Sequence, residues 1–183
     1  MTIISNNCSG GAILHSLGME FKTPTINLQI LPEEFPRFCQ YLKTYLDLPL
    51  WEYTNISEEH ERYLHKMFGG IPSMPFGLLG DIIVCFQHYD TFGDAKRKWD
   101  ERKVRIEWDN IGYIFHARGE EYKKEAEEFA ALPIQRKLLL TQGFDAGGVR
   151  FDGEGFEAVN GRLRITTVYD YARFCQNEDA RPI

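Results

Sequence analysis

The chain has 183 residues, 43% of them hydrophobic and 26% charged, with a net charge of -6 at pH 7. That length buries a continuous core without metal or disulfide support, the composition excludes a disordered chain, and the acidic balance excludes a broad nucleic-acid face, which needs clustered Lys and Arg. No run approaches the roughly 18 apolar residues of a membrane span and no basic-then-apolar leader opens the sequence, so a cytoplasmic protein is expected.

Residues 2–14 read as strand, polar glycine-rich loop and helix. Ile3 and Ile4 favour extended structure, Ser9 is placed to cap the helix, and Gly10 and Gly11 allow close backbone approach. Gly18 is expected to end that helix. Residues 24–30 alternate apolar with polar side chains, the pattern of a half-buried strand. From Pro32, the apolar positions Phe35, Phe38, Cys39, Leu42, Tyr45 and Leu46 follow helical spacing and predict one helix lying flat on a sheet.

A short strand is expected at residues 50–53, and Ser57 with Glu58 and Glu59 marks a helix start that suits the helix dipole. Glycines and prolines make residues 69–77 a loop, read either as a lid or as a packed connection. Residues 82–86 form a nearly continuous apolar run, as in a central strand covered on both faces. Helix 91–108, strand 111–115, helix 120–132 and strand 137–140 follow. After Gln142 six glycines fall within twenty residues, so loops and short β pieces are expected there. A closing helix carries Val168, Tyr171, Ala172 and Cys175 on one face, and residues 177–183 make a loose tail.

This alternation predicts a single α/β domain over residues 1–176, built in three layers on a mainly parallel, Rossmann-like sheet, with an irregular glycine-rich C-terminal segment. In such a sheet, ligands bind beyond the carboxyl ends of the strands. The rule gathers Ser5, Asn6, Asn7 and Cys8 from the first strand, His88 and Tyr89 from the run at 82–86, His116, and Thr141 with Gln142. Amides, hydroxyl and backbone N–H groups of Asn6, Asn7, Ser9, Gly10 and Gly11 suit a sugar or phosphate at a helix N-terminus. The loop is neither a dinucleotide fingerprint nor a Walker loop, and a self-capped tight turn is the structural alternative.

Four scattered cysteines without a C-x-x-C pair indicate neither zinc nor disulfides. Cys39, Cys85 and Cys175 read as core residues. Cys8 differs, because a helix N-terminus lowers a thiol pKa and a nearby imidazole, with His88 as the candidate, would take its proton. His15, His60 and His65 read as surface or packing residues, and no spacing suggests a metal or another cofactor.

The helix after residue 91 contains a conflict. At 100° per residue Ala95, Trp99 and Ile106 form its inward stripe, and Arg102 falls within that stripe. A guanidinium facing the interior requires a buried carboxylate, a carbonyl or a bound anion. An Asp partner and phosphate recognition both satisfy this need, and Lys98 and Arg105 flank the same side. Cys8, His88 and Arg102 are therefore expected around one pocket.

Residues 2–8 with Gly10 and Gly11, the Thr-Pro-Thr-Ile run at 23–26, Gly80-Asp81-Ile82 leading to His88 and Tyr89, and Ala95, Lys98, Trp99, Arg102, Arg105, Ile106 and Trp108-Asp109-Asn110 together make a distinctive set. The set resembles an uncharacterised family of bacterial proteins, a domain of unknown function associated with capsular and exopolysaccharide biosynthesis. The likeness spans about the first 140 residues, departs at Ser9, where a large aromatic residue is common, and aligns poorly after Gln142. It implies a transferase acting on an activated or polymer-linked sugar, with a sugar or nucleotide-sugar as the ligand. Two other classes stay open: a thiol-dependent acyltransferase or hydrolase using Cys8 and His88, and a carbohydrate-binding assembly factor without turnover.

Overall fold

The structure is a computed structural model and describes residues 1–151, 158–159, 162–163 and 171–176. Four parallel strands in the order β1-β6-β7-β8 form the first sheet: β1 is Thr2–Ser5, β6 Ile111–Arg118, β7 Lys137–Gln142 and β8 Val149–Phe151. The period-two rule sends alternate side chains to opposite faces. Ile3, Ile114, Leu138 and Leu140 accordingly pack on one side with Ile13 and Leu14 of α1 (Ser9–Ser16) and with Phe174 of the C-terminal helix Tyr171–Gln176. Ile4, Phe115 and Leu139 pack on the other side.

A second, antiparallel sheet has the order β2-β5-β4-β3, with β2 at Gln29–Ile30, β3 at Leu50–Glu52, β4 at Phe76–Leu79 and β5 at Ile82–Cys85. The run at 82–86 is central and wholly buried, as its composition indicates, but it lies here and not in the parallel sheet. The reason is the connection: Gly80, at φ 67°, and Asp81 join β4 to β5 directly, and so short a link permits only antiparallel pairing. Two residues read as loop, Phe76 and Gly77, are thus strand. Ile82 and Val84 face the same core as Ile4, while Ile83 and Cys85 pack against Leu64 of α4 (Glu58–Phe68).

The helix expected from Pro32 is two helices, α2 (Phe35–Gln40) and α3 (Leu42–Asp47), interrupted at Tyr41, where φ is -116° and ψ 31°. All six of its apolar positions are nevertheless buried, and Phe35 meets Phe115 of β6 and Phe129 of α6 (Lys123–Ala131) at ring separations of 5.4 and 5.9 Å. Of the strand read at 24–30 only Gln29–Ile30 forms.

Helix α5 (Phe92–Lys103) is capped by the Thr91 hydroxyl, which accepts from the Asp94 N–H at 3.1 Å. It ends five residues earlier than expected, although Ile106 is still buried and Trp108 is exposed. Short β pieces occur in the glycine-rich segment at Ala158–Val159 and Arg162–Leu163, paired with each other. The tail at 177–183 lies outside the described residues.

Candidate functional site

A cleft of about 580 Å³ opens at the end of β1, lined by Cys8, Gly11, Ala12, His15, Ser16, Phe21, Ile26, Asn27, His88 and Arg102. Cys8, His88 and Arg102 do share it. His88 reaches it by a route the single-sheet reading lacked. The Asn6 carbonyl accepts from the Ile30 N–H at 2.8 Å, β2 ties to β5 with Gln29 opposite Cys85, and the residues after β5 therefore emerge beside the first loop.

The loop before α1 is closed upon itself. Ser5 Oγ donates to the Asn7 carbonyl at 2.7 Å and accepts from the Gly10 N–H at 3.1 Å. Asn7 Oδ1 accepts from the Ser9 N–H at 2.9 Å and from the Ser9 hydroxyl, so the Asn7 side chain satisfies the first N–H of α1 from one residue outside the cap position, which Cys8 holds, and Ser9 is the first helical residue and not the cap that was expected. Asn6 continues the sheet with its side chain: Oδ1 accepts from the His116 N–H at 2.9 Å and Nδ2 donates to the His116 carbonyl at 3.2 Å. A Cβ on Gly10 would stand 2.5 Å from Ser5 Oγ, so this glycine serves the close approach of α1 to β1. Ser5, Asn6, Asn7, Ser9 and Gly10 are all buried behind the cleft wall, and only Cys8 and Gly11 of this loop line it.

His116 is buried beneath the loop. Asn7 has its Oδ1 committed to Ser9, so its Nδ2 donates to His116 Nδ1 at 3.2 Å, and Arg118 Nε donates to the same nitrogen at 3.4 Å. Two donors make Nδ1 an acceptor and leave the ring proton on Nε2. Burial, and after it the Arg118 charge, hold this imidazole well below its ordinary pKa of 6.5, so it is neutral. Thr141 is fully buried in β7, and Gln142 ends that strand, its carbonyl accepting from the Gly119 N–H at 3.2 Å.

Two expectations about the cleft are corrected. Cys8 stands at the cap position just before α1, yet burial pushes its thiol above the ordinary value, outweighing the Arg118 charge and the hydrogen bonds that draw it down. Its Sγ donates to Gln87 Oε1 at 3.4 Å, and the His88 ring makes no hydrogen bond with it. Arg102 has no carboxylate partner among the described residues. Its Nη1 donates to Tyr89 Oη at 2.8 Å and approaches the Ile26 carbonyl at 3.5 Å. Tyr89 is held in turn by an edge-to-face contact with Phe86, 5.8 Å between centroids. Of the flanking cations, Lys98 pairs with Glu101 at 3.1 Å and Arg105 is exposed.

Sequence reasoning missed His15, Phe21 and Asn27 as cleft residues. His15 stands one helical turn beyond Gly11, a spacing that could have found it. Asn27 has φ 61°, a left-handed conformation uncommon outside glycine, which only the backbone reveals. It also missed a second cleft, where His60, read as a surface or packing residue, is buried against Glu34 with Nε2 2.9 Å from Oε1. Among the described residues no three His, Cys, Asp or Glu side chains gather as a metal site, and no helix is long and apolar enough to cross a membrane.

Fold and cleft together define a mixed α/β protein with one parallel and one antiparallel sheet and a ligand-sized cleft after the first parallel strand. Residues 1–146 match the domain of unknown function DUF1919, and the chain belongs to that family. It is also 32% identical over 161 residues to a protein of Haemophilus influenzae described as uncharacterized, covering 87% of this chain and 71% of that one.

Proposed function

We propose that this chain is a transferase whose cleft holds the phosphate of an activated sugar, and that it serves surface polysaccharide assembly in the cytoplasm. The observation that carries the reading is the lining of the cleft. In a protein with 27 acidic residues, the cleft wall has none, but contains Arg102, His15 and His88. Arg102 spends Nη1 on neutral oxygens, which orients its guanidinium without neutralising it. Such a group binds phosphate, while Phe21, Ile26 and Ala12 offer apolar surface to a sugar or nucleoside face. The position beyond the carboxyl end of β1 is where a Rossmann-like sheet would hold its ligand. The link to surface polysaccharide rests on the family resemblance.

Thiol catalysis has less support, since a half-buried, Gln87-bound thiol with a raised pKa is a weak nucleophile. Thermal-shift titration with a panel of nucleotide-sugars tests the favoured reading, because a ligand at about 100 times its Kd adds about 2.7 kcal/mol of stability. The expected result is a rise in Tm with at least one donor that disappears in Arg102→Gln. No rise with any donor at millimolar concentration sinks the reading.

A further inference from the structure

The face of the second sheet on which α4 packs ends in an exposed tryptophan. In the antiparallel register Trp51 of β3 stands opposite Leu78 of β4, and Leu78 stands opposite Ile83 of β5. Directly opposed residues share a face, so the three side chains form one row across the sheet. Ile83 is fully buried against Leu64 of α4, Leu78 is half-buried and Trp51 is 66% exposed, so the helix covers only the inner part of the row. A cleft of about 280 Å³ borders it: Leu78 lines this cleft, and so does Tyr53, which shares the Trp51 face two residues further on. Tyr53 is fixed by its backbone N–H, which donates to the Phe76 carbonyl at 3.0 Å, and by its Oη, which accepts from the Ser57 N–H at 2.8 Å.

The polar groups of the cleft are already oriented. Asp81 pairs with Arg37 at 3.2 Å and accepts from Tyr45 Oη at 2.8 Å, and Glu59 accepts from Tyr63 Oη at 2.8 Å. Glu34 has Oε2 accepting from the Ile83 N–H at 3.1 Å and Oε1 2.9 Å from His60 Nε2. Each of these carboxylates is steered by a donor and keeps lone pairs for further ones. Glu33, also in the wall, lacks one. Its side chain is only 8% exposed, Lys66 Nζ lies 2.9 Å from Oε1, and Oε2 has no hydrogen-bond partner among the described residues. A buried carboxylate oxygen without a donor is costly, so the cleft is short of a donor that a ligand can supply.

These groups select the ligand. Carboxylates in the wall repel an anion, while Arg37 and Lys66 already offset Asp81 and Glu33, which removes most of the pull on a cation. An uncharged molecule with several hydroxyl donors and one apolar face suits what is left, and a sugar ring has that form. Its hydroxyls donate to the free lone pairs of the cleft carboxylates. Its C–H groups, which carry small positive charge, lie on the negative face of an aromatic ring, and Trp51 offers such a face. The cleft volume is just under the roughly 300 Å³ at which ligand pockets begin, so it takes one ring and leaves the neighbouring units outside.

We propose that Trp51 and this cleft form a saccharide-binding site, which holds one uncharged sugar unit of a glycan with its ring on the indole and its hydroxyls on the cleft carboxylates, Glu33 Oε2 among them. The site binds and does no chemistry. It has no lining residue in common with the phosphate cleft and rests on none of the reading of that cleft.

NMR of the intact protein titrated with cellotriose, maltotriose and chitotriose at millimolar concentration tests the proposal. The chain has three tryptophans, so 1H–15N spectra carry three indole N–H signals, assigned with Trp51→Ala and Trp108→Phe. Trp99, buried in the core, reports folding in every variant. At least one of the three sugars is expected to shift the Trp51 signal saturably and leave those of Trp99 and Trp108 in place. Trp51→Ala, a change at an exposed position, should cut saturation transfer from protein to that sugar at least fivefold, and Glu33→Ala should weaken its binding at least threefold. Should Glu33→Ala not fold, Trp51→Ala decides alone. No Trp51 shift with any of the three sugars, undiminished transfer in Trp51→Ala, unchanged binding in a folded Glu33→Ala, or a larger Trp51 shift with putrescine or trigalacturonate at the same concentration overturns the proposal.

Discussion

Asn7 and His116 lie 109 residues apart in the chain, yet their side chains meet at 3.2 Å between Nδ2 and Nδ1 beneath the first loop. The contact sets the histidine tautomer because Asn7 Oδ1 is already claimed by Ser9. Long-range 1H–15N NMR should therefore show His116 as the neutral Nε2–H form throughout the neutral range, with no titration at or above 6.5. Asn7→Ala should cost about 1–3 kcal/mol in denaturant unfolding, the cost of a buried partner left unsatisfied. A doubly protonated His116 at pH 7 contradicts the assignment.

Gly10→Ala tests how tightly α1 sits on β1. The new methyl would lie 2.5 Å from Ser5 Oγ and 3.0 Å from Ile3 Cγ2, so the helix must lift or the Ser5 rotamer must turn and release Asn7. An overpacked contact of this kind costs about 1–3 kcal/mol. A Gly10→Ala protein as stable as the parent shows that the loop yields freely.

Arg102 and Tyr89 are predicted to act in series. Arg102→Gln should remove ligand stabilisation of any anionic sugar donor. Tyr89→Phe, which deletes the 2.8 Å acceptor but leaves the charge, should weaken binding about fivefold to tenfold by isothermal titration. Equal losses in both variants speak for a collapsed cleft and against a phosphate contact.

Cys8 should be slow to alkylate. Burial raises its thiol pKa, so at pH 7.5 iodoacetamide should modify it at least tenfold more slowly than a free thiol of ordinary pKa. Cys8→Ser should leave ligand-induced thermal shifts in place. Rapid, selective labelling of Cys8 revives the nucleophile reading.

The Glu34–His60 pair gives the stability a pH signature. The folded His60 value, about 9, lies above its ordinary 6.5, so the folded state binds the proton more tightly. The resulting stabilisation is full below about 6.5 and is lost as pH rises through about 9. Free energies from urea unfolding at pH 6.5 and 9.5 should fall in the wild type and change less in His60→Gln. A wild-type stability that rises across this window rules out the raised value.

Period-two and period-3.6 patterns were enough to determine most elements. Ile3 and Ile4 face opposite cores, all the apolar positions of residues 35–46 are buried, Ser57 and Thr91 cap helices, and Ala95, Trp99 and Ile106 form a buried stripe. These properties are local, set by the residue's own periodicity and the hydrogen-bonding capacity of a neighbour. The sequence also indicated that Cys8, His88 and Arg102 belong together. Tertiary structure alone decided the rest. Whether residues 82–86 join the parallel sheet depends on a turn two residues long and on pairing with residues 29–30. Asn7 is bound by His116 and Cys8 by Gln87, through contacts that follow from strand order. The Cys8 thiol pKa is decided by burial, which a helix-terminus argument does not contain. The Glu34–His60 contact was illegible for the same reason: burial and partner geometry are properties of the packed chain, and no spacing in the sequence encodes them.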